Sequence, residues 1–249
     1  IMFLISIIKT ELFIKFAVPL FCISFFLLAL VPIIGVEVKG AKRWIDLYLF
    51  RLQPIEILKP LFILMTVKIL TYEKLKNSQI KYILSFILLS CVIILLIDQP
   101  DLGQSILIIG SWISVVFVSG VSLIYLLIFL SIFLISFGSL LFFLPEKFGY
   151  IINRLITFFS PNQGDQFQTT SALEAIKLGG LTGQGMGEGI LKESVPEAHT
   201  DYVIAVISEE YGSLSSIMLL TIFLYISFRI IKNCFNQDNE FLKISLSGL

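Results

Sequence analysis

Six apolar runs in this chain are each long enough to cross the hydrocarbon core of a bilayer, and that removes most folds from consideration. A helical crossing takes about 20 residues. The runs cover residues 12–35, 55–71, 80–97, 104–120, 122–144 and 202–231, and residues 1–8 read as the tail of a seventh. Where water does not reach the backbone, every N–H and C=O needs an internal partner, which only helices and closed barrels provide. The period-2 alternation of a barrel is absent. The expected fold class is therefore all-α, a polytopic transmembrane helical bundle of about six spans plus part of a seventh. It is read as one membrane domain over 1–249, with polar loops at 36–54 and 145–200. Composition agrees, since 14% of residues are charged and 57% hydrophobic, against about 25% charged in a soluble domain. The start on Ile1 and the stop at Ser247-Gly248-Leu249 suggest a piece of a longer chain. No cleavable signal-peptide pattern is evident.

Charge narrows the partners. The formal net charge is zero, so the basic face that nucleic acid requires is missing. Cys22, Cys91 and Cys234 lie in or beside apolar runs, without metal-ligand or disulfide spacing, and read as fillers. Alternate connections carry Lys9 and Lys15, then Lys74, Lys76 and Lys81, then Arg229, Lys232 and Lys243. Short loops rich in lysine and arginine stay on the cytoplasmic side. That places 36–54 and 145–200 outside.

The first outer segment runs from Glu37 through Lys39, Lys42, Arg43 and Trp44 to Arg51. Its four cations suit an anionic group at headgroup depth, because an arginine fork grips phosphate oxygens and lysines add point charge. Simple anchoring to membrane lipid headgroups explains them as well, with Trp44 at the interface. Glu56 and Lys59 are three apart inside an apolar run. An unpaired charge there is costly, so a mutual or interhelical ion pair is expected, either structural or lining a cavity. Gln99-Pro100-Asp101-Leu102-Gly103 reads as a turn in which Asp101 caps the next helix.

Residues 145–200 form the one long hydrophilic stretch. Ser171–Leu178 reads as a short helix ending at Gly179-Gly180. Seven residues, Gly183-Gln184-Gly185-Met186-Gly187-Glu188-Gly189, follow with a glycine at every second position. No strand precedes them, so a dinucleotide fingerprint is rejected. A flexible lid and an anion nest of backbone N–H groups both fit. Then comes Pro196-Glu197-Ala198-His199-Thr200-Asp201. His199 is the sole histidine, which excludes a multi-histidine metal site and leaves it as base or scaffold. Asp201, at the edge of a low-dielectric wall, suits a base working near neutral pH, and a plain N-cap fits it too. Of the adjacent Glu209 and Glu210, one is expected to point inward and meet a cation such as Lys59.

These motifs, in this order, resemble the SEDS family (shape, elongation, division and sporulation proteins) along nearly the whole chain. Lys39–Ile45 is similar to its KGAxRWI signature and Gln53–Lys59 to QPSExxK, with Ile55 in place of a small residue. Gln99–Gly103 matches QPDLG. Gln168, Ala175-Ile176, Gly179-Gly180 and Gly183–Gly187 follow its glycine pattern, leading into PEAHTD and Glu209-Glu210-Tyr211-Gly212. The segment 161–168 is shorter than the common family form. The variants resemble division-type more than elongation-type members.

The resemblance implies a peptidoglycan glycosyltransferase of the cytoplasmic membrane, acting at the division septum. Ten spans would make a complete member, of which this chain holds the third to eighth. Asp201 falls on the family's essential loop carboxylate and would be the general base. Lys42, Arg43, Trp44, Arg154, Glu197, His199, Gly183 and Gly185 are the candidate substrate-binding residues, and Glu56 and Lys59 an intramembrane polar pair. The implied substrate is lipid II. A class B penicillin-binding protein transpeptidase and other divisome membrane proteins are the implied partners. No cofactor is fixed, although a divalent cation (Mg or Mn) bridging the pyrophosphate is compatible. A lipid II flippase and a non-catalytic divisome scaffold stand as rivals.

Overall fold

The computed structural model describes residues 10–38, 41–48, 50–143, 167–191 and 202–249. The chain divides into two compact units, Ile1–Ile135 with Ile230–Leu249, and Ser136–Arg229.

In the first unit, α1 (Thr10–Ile34) ends where Gly35 N donates to Val31 O at 2.8 Å. A Cβ on Gly35 would overlap that same carbonyl, so a glycine closes the helix. A small antiparallel meander follows, β1 (Val36–Val38), β2 (Ala41–Asp46) and β3 (Arg51–Leu52), in the order β1-β2-β3. The helical expectation holds for most of the described residues, and this small sheet is a departure from it. Val36, Val38, Trp44 and Ile45 are good strand formers set between charges, and they pair outside the apolar runs.

Pro54 then opens α2 (Pro54–Leu70), a position where its missing N–H costs nothing. Asn77 caps α3 (Ser78–Asp98), its side chain accepting from Gln79 N at 2.9 Å. After a two-residue turn, Asp101 caps α4 (Leu102–Val118), and α5 (Leu123–Phe143) follows a turn with Gly120 at φ 83. Leu28, Leu58, Phe62, Val92, Leu96 and Val115 form the packed centre of this unit. Trp112 meets Phe129 edge-on and donates to Ser85 Oγ at 3.4 Å, so its one polar atom is satisfied inside the core.

The second unit holds the end of α5 from Ser136, α6 (Phe167–Gly179), α7 (Val203–Tyr211) and most of α8 (Ser213–Phe235). The run 202–231, expected as one span, is two helices. Gly212 separates them at φ 84 and ψ 168, a region essentially reserved for glycine. A last short helix, α9 (Glu240–Ser247), belongs to the first unit. Asn239 caps it, Ile244 is buried, and Gly248 lies against Ile63 and Val115. Among the described residues, three helical stretches are long and apolar enough to cross a membrane: Ile14–Ile34, Ser78–Asp98 and Ser213–Phe235. Leu102–Val118 and Leu123–Ser139 are apolar but shorter. At 17 residues and 1.5 Å each, α2 and α4 reach about 26 Å, slightly under a hydrocarbon core of about 30 Å.

Candidate functional site

In the first unit the polar residues gather where the meander meets the α3–α4 turn. Trp44 pairs with Val36 and Lys42 with Glu37, which leaves Arg43 as the extra residue of a bulge in β2. A bulge re-aims the side chain it carries. Arg43 Nε donates to Gln99 O at 3.3 Å and its Nη2 to Pro100 O, while Nε lies 3.8 Å from Asp101 Oδ2. Its guanidinium thus holds the meander to the turn. Lys42 is exposed, and Trp44 is half-buried.

Asp101 is buried and does several things at once. It caps α4 through Gln104 N at 3.4 Å, receives Gln53 Nε2 at 3.5 Å, and faces Arg43. Gln99, also buried, donates from Nε2 to Leu28 O of α1 at 2.9 Å. Beside this turn, Lys59 Nζ meets Glu56 Oε2 at 2.9 Å, and Gln104 Nε2 donates to Glu56 Oε1 at 2.8 Å. The Glu56 carboxylate therefore joins α2 to α4. Gln99 and Gln104 were not among the expected site residues. Gln104 had a readable signal, an amide at the very start of an apolar run.

In the second unit the glycine-rich stretch takes a role that sequence did not disclose. Breaking a helix at Gly212 orphans the last carbonyls of α7 and the first N–H groups of α8. The loop supplies both sets of partners. Gln184 N donates to Glu209 O at 2.8 Å and Gly185 N to Glu210 O at 3.0 Å. Ser213 N donates to Gly180 O at 2.9 Å and Leu214 N to Leu181 O at 3.5 Å. Backbone lies on backbone, and a Cβ on Gly179, Gly183 or Gly212 would overlap the carbonyl oxygen of Ser208, Glu210 or Leu181 respectively. Gly183 N itself donates to Gly179 O at 2.8 Å. The amides of Gly183, Gln184 and Gly185 thus serve the protein's own carbonyls, which answers the anion-nest reading for these three.

Glu209 is fully buried, and its Oε1 accepts from Leu191 N at 2.7 Å. The expected inward turn of one of the two acids is present, but its partner is a backbone amide. Lys59 is paired with Glu56. Asp201, Arg154, Glu197 and His199 lie outside the described residues. Among the described residues, no group of three or more His, Cys, Asp or Glu is arranged to hold a metal ion.

The family profile described as "Cell cycle protein" (FtsW, RodA and SpoVE) matches residues 1–249. A protein of Caulobacter vibrioides named "Probable peptidoglycan glycosyltransferase FtsW" is 34% identical over 219 residues, 88% of this chain and 55% of its own. One of the same name from Haemophilus ducreyi is 34% identical over 224 residues, again 88% and 55%. The chain thus spans about half the length of the curated relatives it matches. Among solved structures, a chain of a peptidoglycan synthase complex described as coordinating polymerization and crosslinking superposes with a TM-score of 0.75 at 26% identity, covering 99% of this chain and 69% of that one. Thermus thermophilus RodA, a rod shape determining protein, gives 0.64 at 25%, covering 99% and 65%. Motif order, sequence and fold agree from one end to the other, and the chain belongs to the SEDS family of FtsW, RodA and SpoVE cell cycle proteins.

Proposed function

We propose that this chain belongs to a peptidoglycan glycosyltransferase that polymerises lipid II into glycan strands during cell division. The observation that carries the reading is the family match over residues 1–249 together with relatives named as peptidoglycan glycosyltransferases. In this reading the six apolar runs all cross the cytoplasmic membrane, α2, α4 and α5 completing the set begun by the three longer stretches. The outer loops 36–54 and 145–200 face lipid II at the septum.

Asp201 takes the proton from the acceptor sugar hydroxyl. The freed oxygen attacks the donor's anomeric carbon, the bond from that carbon to the pyrophosphate oxygen breaks, and undecaprenyl pyrophosphate leaves with inversion. Lys42, exposed on β2, and Arg154 supply positive charge to the leaving group, the electrostatic contribution that usually dominates such transfers. Arg43 acts by fixing β2 on the α3–α4 turn, with Trp44 at the interface. Glu197 and His199 bind substrate beside Asp201, and Gly183 and Gly185 act by seating their loop. The Glu56–Lys59 pair, joined to Gln104, forms a polar patch at the head of α2. A divalent cation, if bound, would neutralise charge on the substrate's pyrophosphate; among the described residues no group of three or more His, Cys, Asp or Glu is arranged to hold one. A class B penicillin-binding protein, which crosslinks the product, is the partner, alongside other divisome membrane proteins. Support for it is the likeness to a complex that couples polymerization to crosslinking.

The test is lipid II polymerisation by the full-length protein purified with its transpeptidase, comparing wild type with Asp201→Ala. Glycan from wild type alone, with the variant folded and partner-bound, is the expected result. Equal glycan from both removes Asp201 as base. None from either, where a known polymerase works, favours a lipid II flippase or a scaffold.

A further inference from the structure

The connection from β2 to β3 is a run of apolar residues, Leu47-Tyr48-Leu49-Phe50, set between Asp46 and Arg51. A hairpin tip in water is ordinarily built from glycine, asparagine, aspartate, serine or proline. Here Leu47, Tyr48 and Phe50 are exposed, Tyr48 completely. Tyr48 also stands at φ 66, a left-handed conformation that glycine adopts freely and a residue with a side chain does not. The turn is nevertheless well made. Tyr48 N donates to Asp46 Oδ1 at 2.9 Å, and Leu47 N donates to Phe50 O at 3.1 Å.

Strand register sorts the tip into two faces. Ile45 pairs with Leu52 and Asp46 with Arg51. Cross-strand partners share a face, and every second residue returns to it. Leu47 and Phe50 therefore extend the face of Ile45 and Leu52. The Asp46–Arg51 ion pair, at 3.8 Å, lies on the other face. Ile45 is 6% exposed, and β2 rests on α1 and α2, so the apolar face is the one laid on the helices. Leu47 and Phe50 continue that face and are exposed, so they overhang the edge of the bundle.

The neighbouring helices say what lies beyond that edge. Ile33 and Ile34 at the end of α1 and Ile57 in the first turn of α2 are exposed, so the apolar surface of both helices runs up to the meander. Phe50 stands four residues before Pro54, and a chain of that length reaches at most about 14 Å. The tip thus stays close to the level at which α2 begins. Aromatic rings beside apolar neighbours gather at the boundary between lipid and water, and an ion pair on the opposite face suits the same boundary.

We propose that the Leu47–Phe50 tip is a membrane anchor. It lies in the interfacial layer of the leaflet beside the meander, with Leu47 and Phe50 among acyl chains and Tyr48 at headgroup level. Its partner is lipid, and its role is to hold the meander, Arg43 included, level with the membrane surface. The proposal needs α1 and α2 to cross the membrane and is independent of the glycosyltransferase reading.

The experiment places the full-length protein, without native cysteines, in vesicles of phosphatidylethanolamine and phosphatidylglycerol, together with its transpeptidase. A bimane on Phe50→Cys meets either iodide in the water or lipid carrying a nitroxide high on its acyl chain. Glu37→Cys, exposed on β1, is the reference. Iodide is expected to quench Phe50→Cys at least about threefold less than Glu37→Cys, and the nitroxide lipid to quench it more. Tyr48→Glu puts a charge at the tip and is expected to restore iodide access to the Phe50→Cys reporter several-fold. Equal iodide quenching at the two labels overturns the proposal. Shielding from both quenchers also overturns it, since a protein then covers the tip in place of lipid. A Tyr48→Glu without effect is equally fatal. Should cysteine at 50 disturb the hairpin, Leu47→Cys is the second reporter and has to give the same order.

Discussion

Arg43 and Gly183 illustrate how a signature residue serves the fold before it serves any ligand. The Arg43 fork closes on two backbone carbonyls and faces one carboxylate. Gly183, at φ 84, lies so near the Glu210 carbonyl that no side chain fits. Gly183→Ala is therefore expected to cost about 2 kcal/mol or more, combining a left-handed backbone with an overlap. Gly110, inside α4 with nothing within 4 Å of an added Cβ, is the control. Gly110→Ala is expected to gain about 0.5–1 kcal/mol of helix propensity. Thermal unfolding of the purified protein in detergent reads both, and a Gly183→Ala as stable as wild type contradicts the close packing. What sequence disclosed at this scale was local. Glu56 and Lys59 sit three apart on one helix, and spacing alone pointed to a mutual pair as one of two arrangements. The partner of Glu209 lies 18 residues away, just past the end of the glycine-rich stretch, a distance no periodicity encodes.

Among the elements, the α3–α4 turn concentrates the most connections in the fewest residues. Gln99 reaches α1, Asp101 caps α4 and receives Gln53, and Arg43 holds the carbonyls of Gln99 and Pro100 between them. Asp101→Ala is expected to cost about 1 kcal/mol for the cap, and more because Gln53 and Arg43 are then deprived of their carboxylate. Asp101→Asn keeps the cap and isolates the electrostatic part. Chemical denaturation of the three proteins separates the two contributions, and identical midpoints for alanine and wild type refute the capping role. Helix-forming runs and the Asp101 cap were legible because hydropathy and caps are written locally. The meander was not, being short and charged. The break at Gly212 was missed although the polar stretch Ser208–Ser216 interrupts the apolar run there and was a readable signal. The short α9 was also missed, because its amphipathic eight residues resemble any polar tail.

Across the whole molecule, the proposed orientation puts the 36–54 loop outside and the connection carrying Lys74, Lys76 and Lys81 inside. A version without Cys22, Cys91 and Cys234, all free thiols, provides the background for single cysteines. A cysteine at exposed Glu37 is expected to react with an impermeant thiol reagent in intact cells, and one at exposed Lys76 only after the membrane is opened. Labelling of both in intact cells breaks the proposed orientation. The double cap at Gly212 has a mechanical meaning as well. The first turn of α8 hangs on the carbonyls of Gly180 and Leu181, and the last turn of α7 takes its donors from Gln184 and Gly185. Any tilt of α8 must either break those bonds or drag the loop along. The helix is thus a lever with its fulcrum at Gly212, and a sideways push on it is felt first by the glycine loop.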